Sequence, residues 1–109
     1  MGYQLALDAL GDPTRRQVLE LLRSGERAVG EIAALLPVSR PAVSKHLRVL
    51  RRARLVTERR DGTRHFFSVD PAGVEELRAF FDGFWADALE SYAALAERTA
   101  PGHDLEEPR

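Results

Sequence analysis

Ser39-Arg40-Pro41-Ala42-Val43-Ser44-Lys45-His46-Leu47-Arg48-Val49-Leu50-Arg51-Arg52 reads as a helix with two separate surfaces. Ser39 is a capping residue, and Pro41 falls in the first turn, where its missing N–H is no loss. Val43, Leu47 and Leu50, spaced four and three apart, form an apolar stripe, which leaves Arg40, Ser44, Lys45 and Arg48 to project outward. Before this helix, Val29 to Leu36 predicts a shorter one burying Ile32, Leu35 and Leu36, with Pro37-Val38-Ser39 as the turn between them. After it, Leu55 to Arg60 and Thr63 to Val69 are β-prone runs joined around Asp61-Gly62, a dipeptide suited to a tight hairpin.

Working outward, Tyr3 to Leu10 predicts a short apolar helix stopped by Gly11. Asp12-Pro13 supplies a cap and a first-position proline for a second helix, whose apolar face is Val18, Leu19, Leu21 and Leu22 and which Ser24-Gly25 ends. Asp70-Pro71 opens a long last helix reaching about Ala96. The fold expected is mainly α with a small β-hairpin: four helices, two strands and a final helix, the order of a winged helix-turn-helix. Residues 1–98 are expected to form one domain, and 99–109, with Pro101, Gly102 and Pro108, a flexible acidic tail.

The chain carries a formal net charge of only −1 over 109 residues, but the charge is unevenly spread. Residues 40–64 hold nine Lys/Arg against Glu58 and Asp61, an excess of seven, while residues 65–109 hold three basic side chains against ten acidic ones. The first cluster calls for a polyanion, and the acidic end should point away from it. With 44% hydrophobic and 30% charged residues the composition is that of a soluble domain. The absence of cysteine excludes disulfides and thiolate metal sites, no apolar run is long enough to span a membrane, and Met1-Gly2-Tyr3-Gln4 lacks the basic start of a secretory signal. A cytoplasmic protein is expected.

Double-stranded DNA is the partner these charges fit. At the start of the second motif helix, Arg40 can bond guanine O6 and N7, Lys45 can donate to the same acceptors, and Ser39 and Ser44 can reach base edges or phosphates beside Pro41. Arg48, Arg51 and Arg52 lie farther along and suit the backbone or solvent. His46 borders the apolar stripe and reads either as a DNA contact or as a packed histidine bonded to the preceding helix. Arg59, Arg60 and Arg64 flank a turn that a minor groove admits. Alternatively they protect an edge hairpin from strand pairing.

In the last helix Val74, Leu77, Phe81, Trp85, Ala88, Tyr92 and Leu95 form one continuous stripe, widened by Phe80, Phe84 and Leu89. So much aromatic surface predicts either a ligand pocket or, better, a homodimer seam, shared with Leu5 and Leu7 of the first helix. Two copies related by a two-fold axis would read an imperfect palindrome.

Leu7-Asp8-Ala9-Leu10-Gly11-Asp12-Pro13-Thr14-Arg15-Arg16, Val29-Gly30-Glu31-Ile32-Ala33, Ser39 to Leu47 and Arg60-Asp61-Gly62-Thr63-Arg64 together resemble the ArsR/SmtB family of bacterial repressors over residues 5–95. The resemblance implies a homodimeric winged helix, with first and last helices at the dimer interface, that blocks transcription while bound to operator DNA. Many such repressors release DNA on binding a metal, and there the resemblance breaks. Ala28 stands where a cysteine would be expected, and the last helix offers Asp82, Asp87 and Glu90 but no histidine. His103-Asp104 with Glu106 and Glu107 makes a poor cage. The chain resembles the metal-independent branch, where the Phe84-Trp85 pair recurs, and no metal or cofactor is expected. The inducer is left unknown.

No phosphate loop, cysteine nucleophile or plausible serine–histidine–carboxylate set supports an enzyme. Two alternatives to a plain repressor stay open: a metal- or small-molecule-responsive sensor with an unrecognised ligand site, and a winged-helix protein-interaction module.

Overall fold

The computed structural model describes residues 2–99, with side chains from 3 to 98; the acidic stretch from residue 100 on, with His103, Asp104, Glu106 and Glu107, lies outside them. The element order is α1 (Gly2–Ala9), α2 (Pro13–Leu21), a 3-10 turn (Leu22–Ser24), β1 (Arg27–Ala28), α3 (Val29–Leu35), α4 (Arg40–Arg52), β2 (Val56–Asp61), β3 (Arg64–Val69) and α5 (Pro71–Thr99). The four helices, the hairpin and the long final helix all stand where the sequence places them. The sheet, however, is three-stranded rather than a lone hairpin. Arg27 and Ala28 pair antiparallel with Phe67 and Phe66, giving the order β1-β3-β2.

Local chemistry sets the helix ends. The Asp12 carboxylate accepts from the Arg15 N–H at 3.0 Å, with Pro13 in the first turn of α2. The Arg15 Nε and Arg16 Nη1 atoms donate to the Ala9 and Leu10 carbonyls, 2.7 and 2.6 Å away, at the point where α1 ends. At the start of α3 the Glu31 carboxylate accepts from the Ala28 N–H at 2.7 Å.

α4 ends on a left-handed residue. Arg54 has φ +65°, Arg54 N–H bonds the Arg51 carbonyl at 2.9 Å, and Leu55 N–H reaches back to Leu50 at 3.0 Å. This is the Schellman closure, here made with arginine where glycine is usual. The link then enters β2.

The chain divides into two compact units, one ending at Arg78 and one starting at Ala79. The core lies in the first. Val18, Ile32, Val43, Leu47, Leu50 and Leu55 are completely buried, and Leu22, Val56 and Phe67 nearly so. Leu35 departs from expectation. It is 54% exposed, because α3 is only two turns long and buries Ile32 while Leu36 packs partly against the core. In the second unit α5 continues as a helix, with Phe80 stacked on Phe84 at 6.3 Å and Phe84 edge-on to Trp85 at 6.1 Å. No helix among the described residues is long and apolar enough to cross a membrane.

Candidate nucleic-acid interface

The amphipathic pattern of α4 puts its two faces to different uses. Val43, Leu47 and Leu50 are fully buried, and the helix is thereby fixed with Arg40, Lys45 and Arg48 exposed and Ser44 half-buried. Ser39 caps the helix, its Oγ accepting from Ala42 N–H at 3.3 Å, so the hydroxyl hydrogen is left to donate elsewhere. Pro41 is exposed beside it.

An open cleft of about 980 Å³ lies between the β1–α3 segment, α4 and the hairpin. Arg40, Ser44 and Arg48 line it from α4, and Thr63, Arg64 and His65 from the wing. Four of the expected DNA contacts, Arg40, Ser44, Arg48 and Arg64, therefore converge on one concave surface. Ser39, Pro41, Lys45, His46, Arg59 and Arg60 do not line it. The Arg40 guanidinium lies against Gly30 of α3, where an added Cβ would sit 3.5 Å from its central carbon.

His46 is half-buried, and its enclosed Nδ1 has no hydrogen-bond partner among the described residues. The reading of His46 as a packed histidine bonded to the preceding helix finds no such bond at this nitrogen. The ring's charge contributes a little to holding the Asp12 carboxyl below its ordinary range, behind the larger effect of the Arg15 N–H.

The wing arginines have different partners. Arg59 donates Nε and Nη2 to the two Glu26 oxygens at 2.9 and 2.8 Å, which lowers the Glu26 pKa and raises that of Arg59. Its guanidinium also lies 4.7 Å from the centre of the Phe66 ring, as does that of Arg64. Arg59, Phe66 and Arg64 occupy one face of the hairpin; Glu58, Arg60 and His65 occupy the other. Arg60 is 72% exposed.

Sequence reasoning missed the acids that hold these cations. Glu58 bonds His65 and Arg51, and its carboxyl is held below the usual range chiefly by the His65 bond, helped by Arg51 and Arg60, against burial that would raise it. The signal was available in the strand alternation: Glu58 shares an inward register with Val56. Nothing in the sequence could have paired Glu26 with Arg59, 33 residues away.

On the residues expected at a subunit seam, Phe81, Phe84, Trp85 and Tyr92 are exposed by 42, 56, 59 and 72%, and Ala88 is half-buried. In the first unit Leu5 is exposed and Leu7 half-buried. Among the described residues no three histidine, aspartate or glutamate side chains are grouped to hold a metal ion.

The model of the arsR family of bacterial regulatory proteins matches residues 12–58, from the α2 cap into β2. The chain is 53% identical over 92 residues to the HTH-type transcriptional regulator Rv2034 of Mycobacterium tuberculosis, covering 84% of this chain and 86% of that one. It is 34% identical over 68 residues to the transcriptional repressor SdpR of Bacillus subtilis, covering 62% of this chain and 76% of that protein. The ArsR-like transcriptional regulator from Rhodococcus sp. RHA1 superposes with a TM-score of 0.81 at 25% identity, over 93% of this chain and 95% of that one.

Proposed function

This chain belongs to the arsR family of bacterial regulatory proteins and is a DNA-binding transcriptional regulator, not an enzyme; from that membership we propose that it is a homodimeric repressor of the cytoplasm that reads an imperfect palindrome. The observation that carries the reading is the convergence of Arg40, Ser44 and Arg48 of α4 with Arg64 of the wing on one cleft. α4 enters the major groove, where Arg40, Ser44 and Lys45 choose bases while Ser39, Pro41 and Arg48 stand at the backbone. Arg59, Arg60 and Arg64 approach the minor groove, Arg59 with its guanidinium paired to Glu26, and His46 borders the helix surface that meets the DNA. The repressing sense is supported by the relative named as a repressor.

Residues 1–98 form the DNA-binding and dimerisation domain in this reading. A second copy covers the exposed Phe81, Phe84, Trp85 and Tyr92 with Ala88 in the second unit, and Leu5 and Leu7 are its contacts in the first unit. Such a dimer sets two copies of α4 about one turn of DNA apart.

The test is a gel shift on the duplex upstream of the gene, with and without added metals or chelator, joined to in vitro transcription. Binding that is indifferent to metal and lowers transcript yield is the expected result. Arg40→Ala should relax preference at one base pair by roughly 1–3 kcal/mol. Binding abolished by metal would favour the sensor reading instead.

A further inference from the structure

A single carboxylate sits among the cations where α4 meets the wing. The Glu58 side chain is only 8% exposed. Its Oε1 accepts from Arg51 Nη1 at 2.6 Å, its Oε2 is bonded to His65 Nδ1, and Arg60 Nε stands 3.9 Å away. Arg51 belongs to the last turn of α4 and His65 to β3. One acid therefore ties the end of α4 to both strands of the hairpin. Besides its contribution to stability, the carboxylate fixes the geometry of its two partners.

Arg51 is 59% exposed and His65 39% exposed, and both line the cleft with Ser44, Arg48 and Thr63. The single bond from Arg51 to Glu58 leaves most of the five guanidinium donors for a second acceptor. A duplex that takes α4 in its major groove and the wing in its minor groove must run the strand dividing those grooves through the space between them. That strand presents phosphates, and Arg51 is the exposed cation at the cleft with donors to spare for one of them.

We propose that Glu58 is a positioning residue, anchored by His65 and holding the Arg51 fork as a clamp for one phosphate of that dividing strand. The inference rests on the DNA reading above. Its merit is a sign that simple electrostatics does not give. Removing an acid beside a polyanion should tighten binding. If Glu58 orients the clamp, removing it should weaken binding instead, because Arg51 must then be ordered at the moment of contact.

The experiment measures duplex affinity by fluorescence anisotropy across a salt series for the full chain, Glu58→Gln, Arg51→Gln, the double variant and Arg51→Lys, each checked for folding by thermal melting. Arg51→Gln should weaken binding roughly tenfold and lower the slope of log K against log salt by about one. Glu58→Gln should weaken it about three- to tenfold, and the double variant should be no weaker than Arg51→Gln alone, since the pair acts as a unit. Arg51→Lys keeps the charge but not the fork, so it should bind weakly with a wild-type slope. Folded Glu58→Gln binding as tightly as wild type or tighter overturns the clamp. Should Glu58→Gln melt too low to assay, wild-type affinity in Arg51→Lys overturns it equally. A wild-type chain that binds no duplex would overturn the DNA reading itself.

Discussion

A methyl group on Gly73 would stand 1.6 Å from the carbonyl oxygen of Arg54. The first turn of α5 therefore lies directly on the left-handed link that leaves α4, with backbone against backbone. Alanine in an ordinary exposed helix would gain about 1 kcal/mol over glycine. Here it must push the two chains apart. Gly73→Ala should destabilise by about 3 kcal/mol or more, visible as a large drop in melting temperature. Arg54→Gly should act oppositely, because glycine takes φ +65° without a Cβ penalty, and a gain of about 0.5–1 kcal/mol is expected. A Gly73→Ala chain melting at or above wild type would contradict the close approach.

The wing arginines should divide by partner. Arg60 is exposed and Arg64 lines the cleft, whereas Arg59 is held by both oxygens of Glu26. Each of Arg60→Gln and Arg64→Gln should flatten the salt dependence of DNA affinity by about one unit of slope. Arg59→Gln should change the slope less, since its guanidinium is already taken up by both oxygens of Glu26. Equal slopes for all three variants, measured by anisotropy, would show that the Glu26 pair does not matter in the complex.

Much of this was legible from periodicity. Val43, Leu47 and Leu50 were spaced for burial and are fully buried, and Asp61-Gly62 sits at the hairpin turn with Gly62 at φ +65°. What could not be read came from contacts distant in sequence. β1 is two residues long and exists only because Phe66 and Phe67 lie beside it. Leu35 looks like a core residue by type but points out of a helix too short to bury two faces. The cation cluster was plain in composition, yet which cations are engaged depends on Glu26 and Glu58, and those pairings are set by the folded sheet. Arg54 shows a further limit: its left-handed conformation is imposed by the Schellman closure, and an arginine gives no local sign of it.

Acid should weaken the fold through the same carboxylates. In the folded chain Glu58 is held below its ordinary value of 4.5, mainly by His65, and Glu26 likewise by Arg59. The unfolded chain therefore takes up protons first as pH falls. Their stabilisation is present above the ordinary carboxylate range and is lost as pH drops through the folded values. Melting temperature should hold nearly level from neutral pH to about 5 and then fall. Glu58→Gln should lower the neutral-pH value and make the acid fall shallower. Glu26→Gln should do less, because its pair is more exposed to solvent. Parallel acid limbs for wild type and Glu58→Gln would refute this assignment.

The aromatic face of α5 should decide oligomeric state. Phe84, Trp85 and Tyr92 are each more than half exposed, and Phe84 packs on Phe80 and Trp85 within the same helix. An apolar surface of that kind is uncommon on a monomer. Trp85→Glu places a charge at its middle and leaves every buried core residue of the first unit unchanged. Sedimentation equilibrium at micromolar concentration should give a dimer for wild type and a monomer for the variant, with unchanged helical circular dichroism. Affinity for a full palindrome should then fall by roughly 10²–10⁴, the avidity lost when two linked contacts become independent, while affinity for a half-site stays the same. A wild-type monomer at that concentration, binding the palindrome no better than the half-site, would leave the exposed aromatics needing another occupant.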